Sequence, residues 1–186
     1  SGTTSRPKMV PLSQKNLLAS ARNISKTLNL NENDKCLNIM PMFHIHGLIA
    51  AILAPIYKSG TIITPSGFDA LKFFRWLNDF KPTWYTAVPT MHQAILARAP
   101  RNIDIIKNNQ LKFIRSSSAS LPATVMEKLE DTFNTCVIES YGMTEATHQM
   151  TSNPITPNKR KAGSVGLAAG PEVALLLDGK ILHNIK

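Results

Sequence analysis

Cys136-Val-Ile-Glu-Ser-Tyr-Gly-Met-Thr-Glu-Ala-Thr-His148 is the stretch on which the reading of this chain turns. Cys136-Val-Ile138 is a short apolar run of the kind that forms a buried strand. The strand is expected to end near Tyr141, where Gly142 permits a sharp change of backbone direction. A hydroxyl (Thr144), a carboxylate (Glu145) and an imidazole (His148) then follow within five positions. A strand tip that presents such groups is where an open α/β sheet places its ligand. A solvated strand-to-loop transition would look the same in isolation, so the flanking sequence decides.

That sequence alternates between two periodicities. Pro11-Leu-Ser13 opens a helix with Ser13 as N-cap, and Leu17, Leu18, Ala21, Ile24 and Leu28 keep helical spacing. A short strand over 36–42 ends at Pro41, and an apolar helix over 44–58 is stopped by Ser59-Gly60. β-branched residues 61–64 read as a strand, and Asp69 caps a helix whose apolar positions are Ala70, Phe73, Phe74, Leu77 and Phe80. Strands over 84–88, 112–115 and 136–141 alternate with a helix from Thr90 to about Arg98 and a helix over 121–133 with Pro122 in its first turn. Strand–helix alternation implies βαβ units, hence an α/β fold with a doubly wound, mainly parallel sheet and flanking helices. Each strand ends in polar groups: His44 and His46; Thr86 with Thr90 and His92; Ser116-Ser-Ser118; Thr144 with Glu145. In a parallel sheet these ends share one edge, and four converging clusters are hard to explain as packing.

From Pro154 the texture changes. Residues 154–163 read as a linker, and 164–186 as the start of an incomplete β-rich subdomain. There the runs 173–177 and 180–182 flank Asp178-Gly179, a type I′ hairpin signal. Residues 1–153 are then an α/β subdomain with the expected ligand site at its strand edge.

A chain of 186 residues with a hydrophobic fraction of 43% can bury a sizeable core, which excludes a disordered chain. The formal charge of +9 would attract polyanions, but the charges are scattered, with Lys159-Arg-Lys161 the only short cluster. No nucleic-acid partner is expected. Cys36 and Cys136 have no metal-ligand spacing and read as buried thiols of a reducing compartment. No apolar run is long enough to span a bilayer, and the expected location is cytoplasmic, with a peroxisomal signal allowed outside this sequence. Ser1-Gly-Thr-Thr-Ser-Arg-Pro-Lys8 is rich in hydroxyls and ends in a cation, a composition suited to phosphate oxygens. It is not a Walker loop, because Pro7 and Met9 replace the required Gly and Ser/Thr.

Three of these stretches together resemble the adenylate-forming enzymes, the superfamily of acyl-CoA synthetases, luciferases and adenylation domains. Ser1 to Lys8 is similar to the family's phosphate loop, Pro41-Met-Phe-His-Ile-His-Gly47 to its aromatic/His motif, and Glu139-Ser-Tyr-Gly-Met-Thr-Glu145 to its adenine and magnesium motif. Trp84-Tyr-Thr-Ala-Val-Pro-Thr90, Phe113-Ile-Arg-Ser-Ser-Ser-Ala-Ser120 and Met143 to His148 with Ser152-Asn-Pro154 resemble oxalate–CoA ligases in particular. Gly142 stands where that subfamily carries Ala, and Ser117 where it carries Cys.

The resemblance implies a two-step reaction. A carboxylate attacks the α-phosphorus of ATP to give an acyl-adenylate, and coenzyme A thiol then displaces AMP. It implies phosphate binding by Ser1, Gly2, Thr3, Thr4, Ser5 and Lys8, and adenine binding by Ser118, Ala119, Ser120, Tyr141 and Gly142. Thr144 would bond the α-phosphate, Glu145 would ligate Mg²⁺, and His44 would act beside the reacting carboxylate. For a small carboxylate such as oxalate, His44, Ser116 and His148 are the expected binding groups. His46, His92 and His183 are read as structural or surface residues. The family's ribose-binding Asp, C-terminal lid and catalytic Lys would lie outside this sequence, so the piece alone is expected to be inactive. The alternatives are a different acyl-CoA synthetase, or a short non-catalytic nucleotide-binding or interaction protein of the same fold.

Overall fold

The computed structural model describes residues 8–157 and 159–182. Helix α1 (Gln14–Thr27) begins at Ser13, as the sequence predicts. Ser13 Oγ accepts from the Asn16 N–H at 3.2 Å, while Asn16 Oδ1 accepts from the Ser13 N–H at 3.0 Å. There follow β1 (Lys35–Asn38), a wide π-helical stretch (His46–Leu53) running into α2 (Ala54–Tyr57), and β2 (Thr61–Ile63). Next come α3 (Phe73–Phe80), β3 (Trp84–Ala87), α4 (Pro89–Leu96), α5 (Ile103–Lys107), β4 (Phe113–Ser116), α6 (Ala123–Phe133) and β5 (Val137–Met143). The chain closes with β6 (His148–Ser152), β7 (Leu167–Ala168) and the hairpin of β8 (Leu175–Leu177) and β9 (Lys180–Leu182). Among the described residues no helix is long and apolar enough to cross a membrane.

The main sheet has seven strands in the order β2-β1-β3-β4-β5-β6-β7. The first five are parallel, and β6 and β7 add antiparallel. Helices cover both faces, so the sheet is doubly wound. Alternation along each strand sends Leu37, Tyr85, Ile114 and Val137 to the face packed by α3, α4, α5 and α6. It sends Cys36, Trp84, Phe113 and Ile138 to the face covered by α1 and the π-helical stretch. Burying one such large side chain contributes about 1.5–3 kcal/mol. On the second face Cys36, Trp84 and Phe113 lie in register, and the Trp84 and Phe113 rings pack at 5.1 Å. Two residues nearer the C-terminal edge, the same face carries Asn38, Thr86 and Arg115 in register. An apolar row thus gives way to a polar one inside the protein.

Several elements differ from expectation. β1 stops at Asn38, because the Asn38 side chain accepts the Met40 N–H at 3.1 Å and turns the chain early. The helix expected over 44–58 starts wide: the Ala54 N–H reaches back five residues to the Ile49 carbonyl. Gly47 is required there, since a Cβ would collide with the Pro41 carbonyl. α4 begins at Pro89, not at a Thr90 cap, and Val88 precedes it with no side-chain cap; Pro lacks the N–H that a first turn leaves unpaired. Asp69 caps only the turn before α3, through the N–H groups of Leu71 and Lys72 at 2.8 and 3.3 Å. α5 carried no sequence signal beyond a short apolar run. The stretch 148–152, to which the sequence reading gave no element, is strand β6. Beyond a 3₁₀ turn at Thr144–Ala146, Thr147 (φ 55°) and His148 (φ 91°) reverse the chain onto β5. Ser20 of α1 donates to the Thr147 carbonyl at 2.6 Å and holds the reversal. β5 and β6 approach so closely at Gly142 that a Cβ would meet the His148 carbonyl.

The β8–β9 turn is as predicted: Asp178 and Gly179 have φ of 49° and 74°, the type I′ pattern. Its leucines Leu175, Leu176 and Leu177 stay exposed. The segment expected as a linker is tied to the body. Asn153 accepts from the Lys161 N–H at 3.1 Å and donates to the Ser164 carbonyl, and Arg160 pairs with Glu130 of α6 at 2.9 Å. β7 belongs to the main sheet, so the sheet extends into the segment read as a separate subdomain.

Candidate active site

The C-terminal edge of the parallel strands gathers most of the residues singled out in the sequence, and it adds a buried charge the sequence reading passed over. Arg115 ends its strand face fully buried. Its Nη1 lies 3.2 Å from His46 Nε2 and 3.4 Å from Thr86 Oγ1. Its Nη2 lies 3.1 Å from His148 Nε2 and 3.3 Å from Gln149 Oε1. The His46 and His148 rings stack, with centroids 5.1 Å apart. His46 Nε2 is also 2.6 Å from Thr86 Oγ1, and His46 Nδ1 is 3.0 Å from Ser118 Oγ. The π-helical stretch delivers His46, the reversal after Ala146 delivers His148, and the polar row of the sheet delivers Thr86 and Arg115.

Electrostatics follow from the burial. His46 is held well below the usual imidazole range, first by desolvation and then by the charge of Arg115. His148 is lowered for the same reasons, with His44 contributing. Desolvation lowers Arg115 to about 9, which leaves it charged at neutral pH. Both shifts favour neutral, N–H-donating rings. His46, expected to be structural, lies at the centre of the cluster. His92 is structural as expected: it points to the other face, 3.2 Å from the Tyr85 hydroxyl.

Of the expected substrate groups, His44 is half-buried and its Nδ1 accepts the His46 N–H at 3.1 Å, which leaves Nε2 as its outward donor. Ser116 is not brought to the imidazoles. The alternation that turns Arg115 toward them turns Ser116 to the opposite face, where its hydroxyl is buried with no partner. Ser118, Ala119 and Ser120 are exposed just past β4, and Ser118 takes φ 73°. Tyr141 and Gly142 end the adjacent strand β5, so the residues expected at adenine are neighbours. Ser117 reaches the same strand through a 2.8 Å bond to the Ser140 carbonyl, a use for a hydroxyl in place of a thiol. Thr144 is half-buried and Glu145 exposed at the same edge. Lys8 is exposed; Ser1, Gly2, Thr3, Thr4 and Ser5, like His183, lie outside the described residues. A groove of about 670 Å³, lined by Met40, Phe43, Pro65, Phe68 and Met91, opens beside the turn that carries His44. A cavity of about 700 Å³ between α4, α5 and α6 lies away from the cluster and takes no part in it.

Gln149 and Arg115 were missed, while Thr86 was among the strand-end groups picked out from the sequence. The signal for Arg115 was present: an arginine within Phe113-Ile-Arg-Ser116, a strand read as internal to a parallel sheet.

The chain is similar to known proteins over nearly its whole length. A family model described as AMP-binding enzyme matches residues 1–183. The oxalate–CoA ligase of Arabidopsis thaliana is 44% identical over 179 residues, covering 95% of this chain and 35% of that protein. The oxalate–CoA ligase of Saccharomyces cerevisiae is 40% identical over 178 residues, covering 96% and 32%. The ATP-bound structure of MatB from Rhodopseudomonas palustris is similar with a TM-score of 0.85 at 29% identity, covering 98% of this chain and 36% of that one. The chain spans about a third of the length of the curated relatives it matches. Matched by the family model over nearly its whole length, and folded like a solved ATP-bound relative, the chain belongs to the AMP-binding enzyme family.

Proposed function

We propose that residues 1–153 form the ATP- and substrate-binding subdomain of an ATP-dependent carboxylate–CoA ligase, and that its carboxylate is oxalate. The observation that carries the reading is the buried Arg115–His46–His148 cluster at the strand edge, beside the Thr144–Glu145 turn. A cationic, donor-rich strand edge suits a compact dianion, because burying an unpaired carboxylate costs several kcal/mol or more. A fatty acyl chain would need an apolar tunnel at the cluster itself, and the apolar groove beside the His44 turn is lined by none of the cluster's residues. The oxalate–CoA ligases among the relatives support the same substrate.

In this mechanism a carboxylate oxygen attacks the α-phosphorus of ATP, the bond to pyrophosphate breaks, and an acyl-adenylate results. The coenzyme A thiol then loses its proton and attacks the acyl carbon, releasing AMP. Catalysis of the first step is positioning and charge stabilisation. Thr144 bonds the α-phosphate, Ser1 to Ser5 and Lys8 hold the outer phosphates, and the Ser118-Ala119-Ser120 and Tyr141-Gly142 segments frame the adenine. His44 offers Nε2–H beside the reacting carboxylate. Among the described residues no group of three or more His, Cys, Asp or Glu side chains can hold a metal by itself. A single exposed carboxylate, Glu145, fits Mg²⁺ shared with nucleotide phosphates, a cation usually held by one or two carboxylates plus those phosphates. When bound, that ion supplies neutralisation of phosphate charge.

The test is pyrophosphate–ATP exchange by the full-length protein with oxalate, malonate, acetate and a medium-chain fatty acid. Oxalate is expected to be preferred over all three. Equal turnover of oxalate and the fatty acid refutes the oxalate assignment and leaves the adenylating chemistry in place. No exchange with any carboxylate refutes the ligase reading.

A further inference from the structure

Arg115 is a buried cation without an anion. No ion pair among the described residues involves it, and the remaining positions, 1–7, 158 and 183–186, contain no Asp or Glu. Its Nε has no partner, and every atom facing its two amino groups belongs to a neutral side chain: His46, Thr86, His148 and Gln149. Such an arrangement is expensive unless something else uses the charge.

The geometry fixes more than the charge. A guanidinium only donates. A ring nitrogen 3.1–3.2 Å from it is therefore placed to accept, which points to Nε2 of both His46 and His148 as acceptors, with the Thr86 hydroxyl, 2.6 Å from His46 Nε2, donating to the same nitrogen. The single proton of each neutral ring then sits on Nδ1. An Nε2–H on His148 would point at the guanidinium N–H groups and be repelled; on His46 it would have Thr86 Oγ1 as an acceptor at 2.6 Å, and it is the guanidinium 3.2 Å away that disfavours it. In that tautomer His46 Nδ1–H donates to Ser118 Oγ at 3.0 Å, so the exposed Ser118 hydroxyl keeps its own proton to donate outward. His148 Nδ1 has no partner among the described residues. Two chains of donors thus run from one buried cation toward the strand edge: Arg115 to His46 to Ser118, and Arg115 to His148.

We infer that Arg115 is a positioning residue that locks His46 and His148 in the Nδ1–H tautomer, and so makes this strand edge donor-only toward the second carboxylate of a compact dianion. The inference rests on the carboxylate-ligase reading for its ligand, and on this chain's own geometry for the tautomers. Each relayed bond is charge-assisted, because every donor in it is polarised by the guanidinium. Ser118 O–H and His148 Nδ1–H are the groups that would touch the ligand; Arg115 acts through them. Groups facing the pair from other elements are His44 on the turn before the π-helical stretch, Thr86 on β3 and Gln149 on β6, none of which carries a negative charge.

The test uses the full-length protein with ¹⁵N-labelled histidine and long-range ¹H–¹⁵N correlation, His46 and His148 being assigned from His46→Gln and His148→Gln. Both rings are expected as Nδ1–H in the wild type. Arg115→Met is expected to move them to Nε2–H or to a mixture, while Arg115→Lys, which keeps a buried donor cation, preserves Nδ1–H. In pyrophosphate exchange, Arg115→Met should raise the oxalate KM about tenfold to hundredfold, the range for losing a hydrogen bond to a charged group, with the ATP KM within about twofold. Arg115→Lys should lie between. If Arg115→Met does not fold, Arg115→Lys and the wild-type tautomers decide. Nε2–H rings in the wild type, or an oxalate KM that does not respond to Arg115→Met or Arg115→Lys, overturn the inference. A merely structural arginine would lower folded yield or kcat without moving tautomers or splitting the two KM values. Nδ1–H rings in a protein that activates no dianion would uphold the tautomer assignment while removing the substrate reading.

Discussion

Replacing His92 by Gln should remove a large part of the acid sensitivity of the fold. His92 lies on the α4 side of the sheet, away from the candidate site, with Nδ1 3.2 Å from the Tyr85 hydroxyl and Nε2 unpartnered. Desolvation lowers its pKa from 6.5 to about 4. In the unfolded chain the ring takes up a proton as the pH falls through about 6.5, whereas the buried ring does so only near 4. Between those values the unfolded state binds more protons, so stability falls as the pH falls. At about 1.4 kcal/mol per pH unit, the gap amounts to about 3 kcal/mol by pH 4, and below that it saturates. Against a typical 5–15 kcal/mol for a domain this is a large share. His46 and His148, also held neutral, add losses of the same sign. Gln offers Tyr85 both a donor and an acceptor, which limits the loss at pH 7. The assay is urea unfolding at pH 7 and pH 4 for the wild type and His92→Gln. The variant should lose about 3 kcal/mol less than the wild type over that interval. Equal losses in the two proteins would show that His92 is not the buried titrating group described here.

Glu145→Gln in the full-length protein preserves shape but removes the carboxylate, and should cost about 2–4 kcal/mol in the transition state for pyrophosphate exchange; unchanged exchange would remove Glu145 from the site. Thr144→Val should lower exchange with little change in melting temperature, since the side chain is only half-buried; a large drop in melting temperature with normal exchange would make its role structural. His148→Ala should raise the oxalate KM by much more than the ATP KM, and equal changes in both would place His148 outside the carboxylate site.

The parallel core was legible because its signals are local. Cys36, Trp84 and Phe113 are apolar where strands are buried on both faces, and Ser13, Pro89 and Asp178-Gly179 mark element ends through their own backbone chemistry. β6 was not legible, because His148-Gln-Met-Thr-Ser152 is polar and its burial depends on partners distant in sequence. Polar residues so placed read as loop until Arg115, Ser20 and Ala169 are known to receive them. The same holds for His46, whose role depends on the wide start of its helix and on the strand register beneath it.

Ser116 shows how fine the distinction becomes. The sequence placed a hydroxyl at the tip of β4 and assigned it to the substrate, and a tip is where the edge chemistry belongs. In a pleated strand, however, one residue changes the face. Register aligns Arg115 with Thr86 and Ser116 with Ala87, and Ala87 belongs to the core under α4 and α6. Ser116 therefore follows Ala87 into that core. Arg115 follows Thr86 to the face roofed by the π-helical stretch that carries His46. The residue to trust at a strand end is the one whose in-register neighbours are polar on the same face. By that criterion Thr86 and Arg115 identify each other without reference to any ligand, and the exposed Ser118 rejoins them through His46.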